Sequence, residues 1–169
     1  MKRKIIFLSA IVLMVSGVAT AFAGGDGSAS DPYQVENWNH LDSIFDDNQA
    51  HYILTADIDE NSAGYDTHAS SNANGGDGWN PREFGGIPSD FLGTVDGQGH
   101  TISGLYIDRT SDRIGLFSSV GQSTSISGKP VVSNIHFEDV DIQSDGEQIG
   151  TVAGVVQLDA TVENISVIV

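Results

Sequence analysis

The sequence predicts an all-β fold, a coiled parallel β-solenoid preceded by one short capping helix. Three observations point there. A seven-residue pattern recurs at a constant spacing of 30 residues, as TISGLYI from Thr101, VVSNIHF from Val131 and TVENISV from Thr161. Beyond Phe91 the chain is a succession of short β-rich runs separated by glycine, asparagine and aspartate. Helical periodicity is convincing only in ENWNHLDSIFDD, where Trp38, Leu41, Ile44 and Phe45 fall on one face.

Taken in order, Lys2, Arg3 and Lys4 precede an apolar run from Ile5 to about Val18 that ends in Ala21, Phe22 and Ala23. Cations on the cytoplasmic side, an apolar core and small residues for the peptidase describe an export signal, with residues 1–23 removed by cleavage after Ala23. Ser9, Ser16, Gly17 and Thr20 interrupt the run. It falls short of the ~20 apolar residues a stable span prefers, so no membrane span is expected after cleavage. Residues 24–31 are Gly, Ser, Ala and Asp, a composition that buries little apolar area and reads as a flexible leader.

Residues 32–90 read as an amino-terminal cap with one helix, one main strand and a long acidic loop. Tyr33, Gln34 and Val35 look like a short strand before the helix, and HYILTADID, from His51 to Asp59, has the β-formers of a longer one. From Glu60 to Asp90 neither periodicity is present. Trp79 and Phe84 are expected to pin this loop to the body, and residues 68–78 to stay mobile.

Residues 91–169 hold the repeats, expected to be incomplete at the carboxy end. Apolar residues fill the second, fifth and seventh places of each copy: Ile102, Leu105, Ile107; Val132, Ile135, Phe137; Val162, Ile165, Val167. The odd step from second to fifth would turn one of them outward in a straight strand. A corner at the fourth place resolves this, and that place holds Gly104, Asn134 and Asn164, residues suited to a left-handed bend. Stacked in register, Val132 lies over Ile102 and Val162 over Val132, and Asn134 with Asn164 forms an amide ladder. A second repeated piece, IGLF from Ile114 and IGTVAG from Ile149, is spaced by 35 residues. Its Gly115, Gly150 and Gly154 suit close approach of neighbouring strands rather than phosphate binding, which needs a following helix.

The stretch FLGTVDGQGHTISGLYIDRTSDRIGLFSSVG resembles the first rung of proteins carrying Glug motifs, and IGTVAGVVQLDATVENISV resembles a Glug repeat, with Thr151 where the usual repeat has a second glycine. DPYQVENWNHLDSI, YILTADID and GWNP resemble the cap that precedes such rungs, so the likeness covers about residues 31–169. It implies a right-handed parallel β-helix, exported, with adhesive or scaffold roles. The zinc peptidase domain that accompanies some of these proteins is not implied, because the chain has no HExxH string.

Chemistry is constrained by composition. No cysteine is present, which excludes a disulfide scaffold, a thiolate metal site and a cysteine nucleophile. Seven Lys plus Arg against 23 Asp plus Glu exclude a basic groove for nucleic acid. Loss of the three leader cations takes the formal net charge from −16 to −19. Asp57, Asp59, Glu60 and Asp66 crowd one segment and form a candidate calcium site. The EF-hand pattern, however, needs Gly and Glu where Ser62 and His68 stand. Glu138, Asp139, Asp141, Asp145 and Glu147 form a second acidic cluster, and the five histidines show no metal spacing.

No cofactor beyond that calcium candidate and no catalytic residue is expected. Asp96, in TVDGQG, resembles a turn residue of the polygalacturonases, but their Gly-His-Gly and Arg-x-Lys elements are missing. The functional expectation is a non-catalytic, secreted or cell-surface module, adhesin-like or a scaffold. It would contact surface glycans or proteins in a cell wall or extracellular matrix, or copies of itself through the open solenoid end. The alternative is a glycan-active β-helix enzyme of lyase or hydrolase type.

Overall fold

In a computed structural model the structure describes residues 21–81, 90–122 and 128–168. The apolar run read from the sequence as an export signal, and Phe84, lie outside them.

The fold class is all-β, and every pairing between named strands is parallel. The largest sheet runs β1 (Tyr33–Val35), β2 (His51–Leu54), β3 (Thr94–Asp96), β7 (Val131–Glu138) and β10 (Thr161–Ile168), with β4 (Thr101–Ser103) also paired to β7. Two further sheets are pairs: β5 (Tyr106–Asp108) with β8 (Asp141–Gln143), and β6 (Phe117–Val120) with β9 (Ala153–Val156).

Register places like residues side by side. Tyr33, Tyr52, Val95, Val132 and Val162 form one column across five strands, and Ile102, Phe137 and Val167 form part of another. Ile107 pairs with Ile142 and Ile114 bridges to Ile149. Val95, Ile102, Ile107, Ile114, Val132, Ile135 and Phe137 are buried in one core, each contributing about 1.5–3 kcal/mol of transfer free energy.

The fourth-place residues do take left-handed backbone, with φ of 77° at Gly104, 58° at Asn134 and 53° at Asn164. Val162 lies beside Val132 as expected. Ile102 does not: it pairs with Phe137, and Val95 occupies the place beside Val132. The reason is that β3 and β4 both pair along the single strand β7, with residues 97–100 as a turn facing the bend at Asn134. Gly104 is thus the counterpart of Asp139, which is also left-handed at φ 50°. The difference in repeat length sits after β6, where ten residues lead to β7, whereas four lead from β9 to β10. Gly115 allows the expected close approach, since a Cβ there would overlap the Gly150 carbonyl oxygen.

The predicted helix is present as α1 (Trp38–Ser43), continued by a 3-10 turn at Ile44–Asp46. Asn37 caps it, its Oδ1 accepting from the His40 N–H at 3.0 Å, and Trp38, Leu41 and Ile44 are buried. The acidic loop is more ordered than its composition implies. It contains a second helix, α2 (Tyr65–His68), and a 3-10 turn at Ala73–Gly76. Trp79 is buried, with Nε1 donating to the Leu116 carbonyl at 2.9 Å, while the Trp79 N–H donates to Tyr106 and the Tyr106 N–H to Ala69. Those bonds bind residues 69–79 to β5. Residues 24–31, expected as a flexible leader, are likewise tied by backbone bonds of Gly24 to Gln34 and of Gly27 to His51.

This packing yields a test. Phe137→Ala should lower unfolding free energy by about 3–5 kcal/mol in urea titrations. Ile168→Ala, one place beyond the Val167 that pairs with Phe137 and 60% exposed, should change it by less than about 0.5 kcal/mol.

Candidate functional site

A groove of about 550 Å³ opens where four segments meet. The turn after β2 supplies Asp59, Glu60 and Asn61; α2 and its exit supply Tyr65 and Ser71. The β4–β5 corner contributes Ser103, Gly104, Leu105 and Tyr106, and the β7–β8 corner contributes Asp139 and Asp141. Leu105 is fully buried and fixes the floor, and the Asp141 N–H donates to its carbonyl at 3.0 Å. Glycine suits position 104 on two counts: its φ is positive, which strains most side chains, and a Cβ would stand 3.2 Å from the Tyr65 hydroxyl oxygen, a tight contact.

The groove is acidic and aromatic. Asp59 accepts from the Asn61 N–H at 2.9 Å and from the Ser62 hydroxyl at 3.0 Å, and these donors, Ser62 first, hold its carboxyl below the usual range. Partial burial raises the Tyr65 phenol, and Glu60 and Asp66 push it further in the same direction. Loss of solvent, then the charges of Asp108 and Asp141, raise Tyr106 likewise. Both phenols therefore stay protonated at neutral pH and can donate to a ligand oxygen while their rings offer apolar faces.

The four calcium candidates part company. Asp57 turns away, accepting from the Thr101 N–H at 2.9 Å with His100 Nδ1 at the same distance, whereas Asp59 and Glu60 line the groove. Asp66 lies on α2. Among the described residues no group of three or more acidic or histidine side chains is arranged to hold a metal ion. What the sequence missed is that the second acidic cluster sends Asp139 and Asp141 to the same groove, and that Tyr65 and Tyr106 flank them. The acids were visible as composition, but no spacing linked the two clusters.

Beside β7 and β10 lies a polar line across three strands. Asn164 Nδ2 donates to Asn134 Oδ1 at 3.0 Å and Asn134 Nδ2 to Asp96 Oδ1 at 2.9 Å. The amide of Asn164, which begins the Asn-Ile-Ser sequon, is therefore engaged in the ladder. His136 Nδ1 meets the Ser166 hydroxyl at 2.5 Å, but among the described residues no carboxylate bonds to that ring as a triad requires.

Two relatives are similar to most of this chain. Halomucin of Haloquadratum walsbyi is 33% identical over 145 residues, covering 82% of this chain and 2% of that protein. A putative Gly-rich membrane protein of Evansella cellulosilytica is 32% identical over 135 residues, covering 72% of this chain and 14% of that protein. The chain thus spans a small fraction of the curated relatives it matches. No protein-family profile matches it, and no solved structure does. Among the described residues no helix is long and apolar enough to cross a membrane.

Asp57 generates a pH prediction. Thr101 and His100 depress its carboxyl below its unfolded value, so the stability it contributes is present above about pH 4 and is lost as pH falls through the folded pKa. Because its side chain is 71% exposed, the effect is screened. Asp57→Asn should lower the melting temperature by about 2 °C at pH 7 and flatten its dependence on pH below about 4, as read by thermal scans across that range.

Proposed function

We propose that this chain is a non-catalytic module of an exported surface protein, a right-handed parallel β-helix of the Glug type whose corner groove contacts glycans. The observation that carries the reading is the five-strand parallel column from Tyr33 to Val162, because stacking of like on like is what repeated coils of a solenoid produce. The names of the two relatives, a halomucin and a Gly-rich membrane protein, support a surface or membrane-associated setting. The groove suits a sugar: phenol rings stack on pyranose faces, and carboxylates and Asn61 accept from or donate to hydroxyls. In the same reading β10, with exposed Val167 and Ile168, is the surface through which copies of the chain associate.

One observation favours a second reading, cleavage of the glycan. Four carboxylates, of Asp59, Glu60, Asp139 and Asp141, line one groove, as glycosidic chemistry would need. Against it, Asp59 is held ionised by its donors, the opposite of a general acid.

Incubation of the purified chain with a polysaccharide panel, with and without calcium, separates the two. Retention on at least one acidic or neutral glycan without release of reducing ends or unsaturated uronate is expected. Tyr106→Ala should weaken that retention about tenfold, roughly one stacking contact. Turnover of any polymer would establish the second reading, and no retention at all would defeat both.

A further inference from the structure

We infer that the export signal is cut between Ala21 and Phe22, so that Phe22 becomes the amino-terminal residue and the first anchor of the fold. The inference rests on the reading of the chain as exported. The Ala-x-Ala string that a signal peptidase recognises occurs twice in succession, as Ala19, Thr20, Ala21 and as Ala21, Phe22, Ala23. Side-chain size therefore permits cleavage after Ala21 as well as after Ala23.

The two products differ in what they leave the fold. Phe22 is 8% exposed and belongs to the core. Its ring stacks on Tyr33 at 4.4 Å between centroids and 21° between planes, and lies 5.5 Å from Tyr52. Tyr33 and Tyr52 are the first two members of the column that runs through the main sheet. Phe22 therefore closes that column at its amino end. Next to it, the Ala23 N–H donates to the Gln34 carbonyl at 3.0 Å and the Gln34 N–H donates to Gly24 at 2.9 Å. Both groups of Gln34 face away from β2, so this pair of bonds covers the outer edge of β1, a row of polar groups that otherwise invites strand addition.

Cleavage after Ala23 deletes the ring and one of the two bonds. It uncovers the faces of Tyr33 and Tyr52 and leaves the Gln34 carbonyl without its donor. Cleavage after Ala21 retains both. Among the described residues burial begins at the same bond, for Ala21 is exposed and Phe22 buried. The peptidase acts before folding, so the fold does not choose the bond; a product that begins at Phe22 is the one that folds with its edge covered.

The full chain with its own leader, exported from a bacterial host and recovered from the periplasm or medium, should give an amino-terminal sequence of Phe-Ala-Gly and the matching intact mass. A start at Gly24 overturns the inference and leaves export standing; a chain that keeps Met1 overturns export and the inference together. Ala23→Leu removes the small residue that the downstream site needs and spares the upstream one, so processing should continue at the same bond. Its loss would sink the proposal. Two chains with defined starts at Phe22 and at Gly24 provide the structural arm: the first should melt about 4 °C or more above the second, and equal melting temperatures would refute the anchoring role.

Discussion

Parallel pairing in register imposes a condition that antiparallel sheets escape: each inward position meets its equivalents in the neighbouring strands, so apolar side chains must stack on apolar side chains down a column. Val95, Val132 and Val162 meet that condition with one residue type, and Ile107 beside Ile142 and Ile114 beside Ile149 do so with another. Branched aliphatic side chains suit it because they are stiff at χ1 and interlock with a neighbour of the same shape. At the amino end the column turns aromatic, through Tyr52, Tyr33 and Phe22, where the core widens to take Trp38 from α1.

The same condition governs the corners. A bend exposes backbone and polar groups to neighbours that bend at the same place, so their hydrogen bonds have to run between strands. Asn134 and Asn164 satisfy this with side-chain amides, and Asp96, which also accepts from the Gln98 N–H at 2.9 Å, terminates the line because its carboxylate has no hydrogen to donate onward. The positive φ of both asparagines shows why the residue type is narrow: glycine would take the bend but carry no ladder, and a β-branched residue would carry neither. Asp59, Ser62 and Asn61 solve the corresponding problem locally at the mouth of the groove.

How much of this was legible follows from the range of each signal. The helix at Trp38, the left-handed bends, the Asn134–Asn164 contact and the pairing of Ile114 with Ile149 are written in short strings, and the structure contains all four. The position of Ile102 was not, because apolar residues at places two, five and seven match Val132 to Ile102, whereas the segment from Thr94 that lies there has Gln98 and His100 at places five and seven and shows no such pattern. Only the insertion of residues 97–100 decides between them, and its effect appears once two strands share one partner. The order within residues 60–79 was hidden for a similar reason. Its breakers look like loop, yet the buried Trp79 and its bond to Leu116, 37 residues away, hold the segment in place. The groove was the least visible, since its walls come from four segments and no local spacing records their meeting.

The distribution of charge gives the groove its meaning. With a formal net charge of −16, random placement would set acids opposite acids across the ladders, each such pair destabilising. Among the paired positions described, none does. Asp96 lies beside Ile53 and Ser133, Glu138 beside Ser103 and Ile168, Asp141 beside Tyr106, Asp108 beside Gln143 and Glu163 beside Ser133. Repulsion is thus kept out of the strand register, where it would oppose stacking directly. Among the described residues, Asp59, Glu60, Asp139 and Asp141 gather at the groove, three of them off the ladders. A fold that separates its acids wherever pairing can enforce it, and collects them beside two tyrosines at a corner, has placed there a feature that stability does not ask for, which is the physical reason to look for a ligand at that corner.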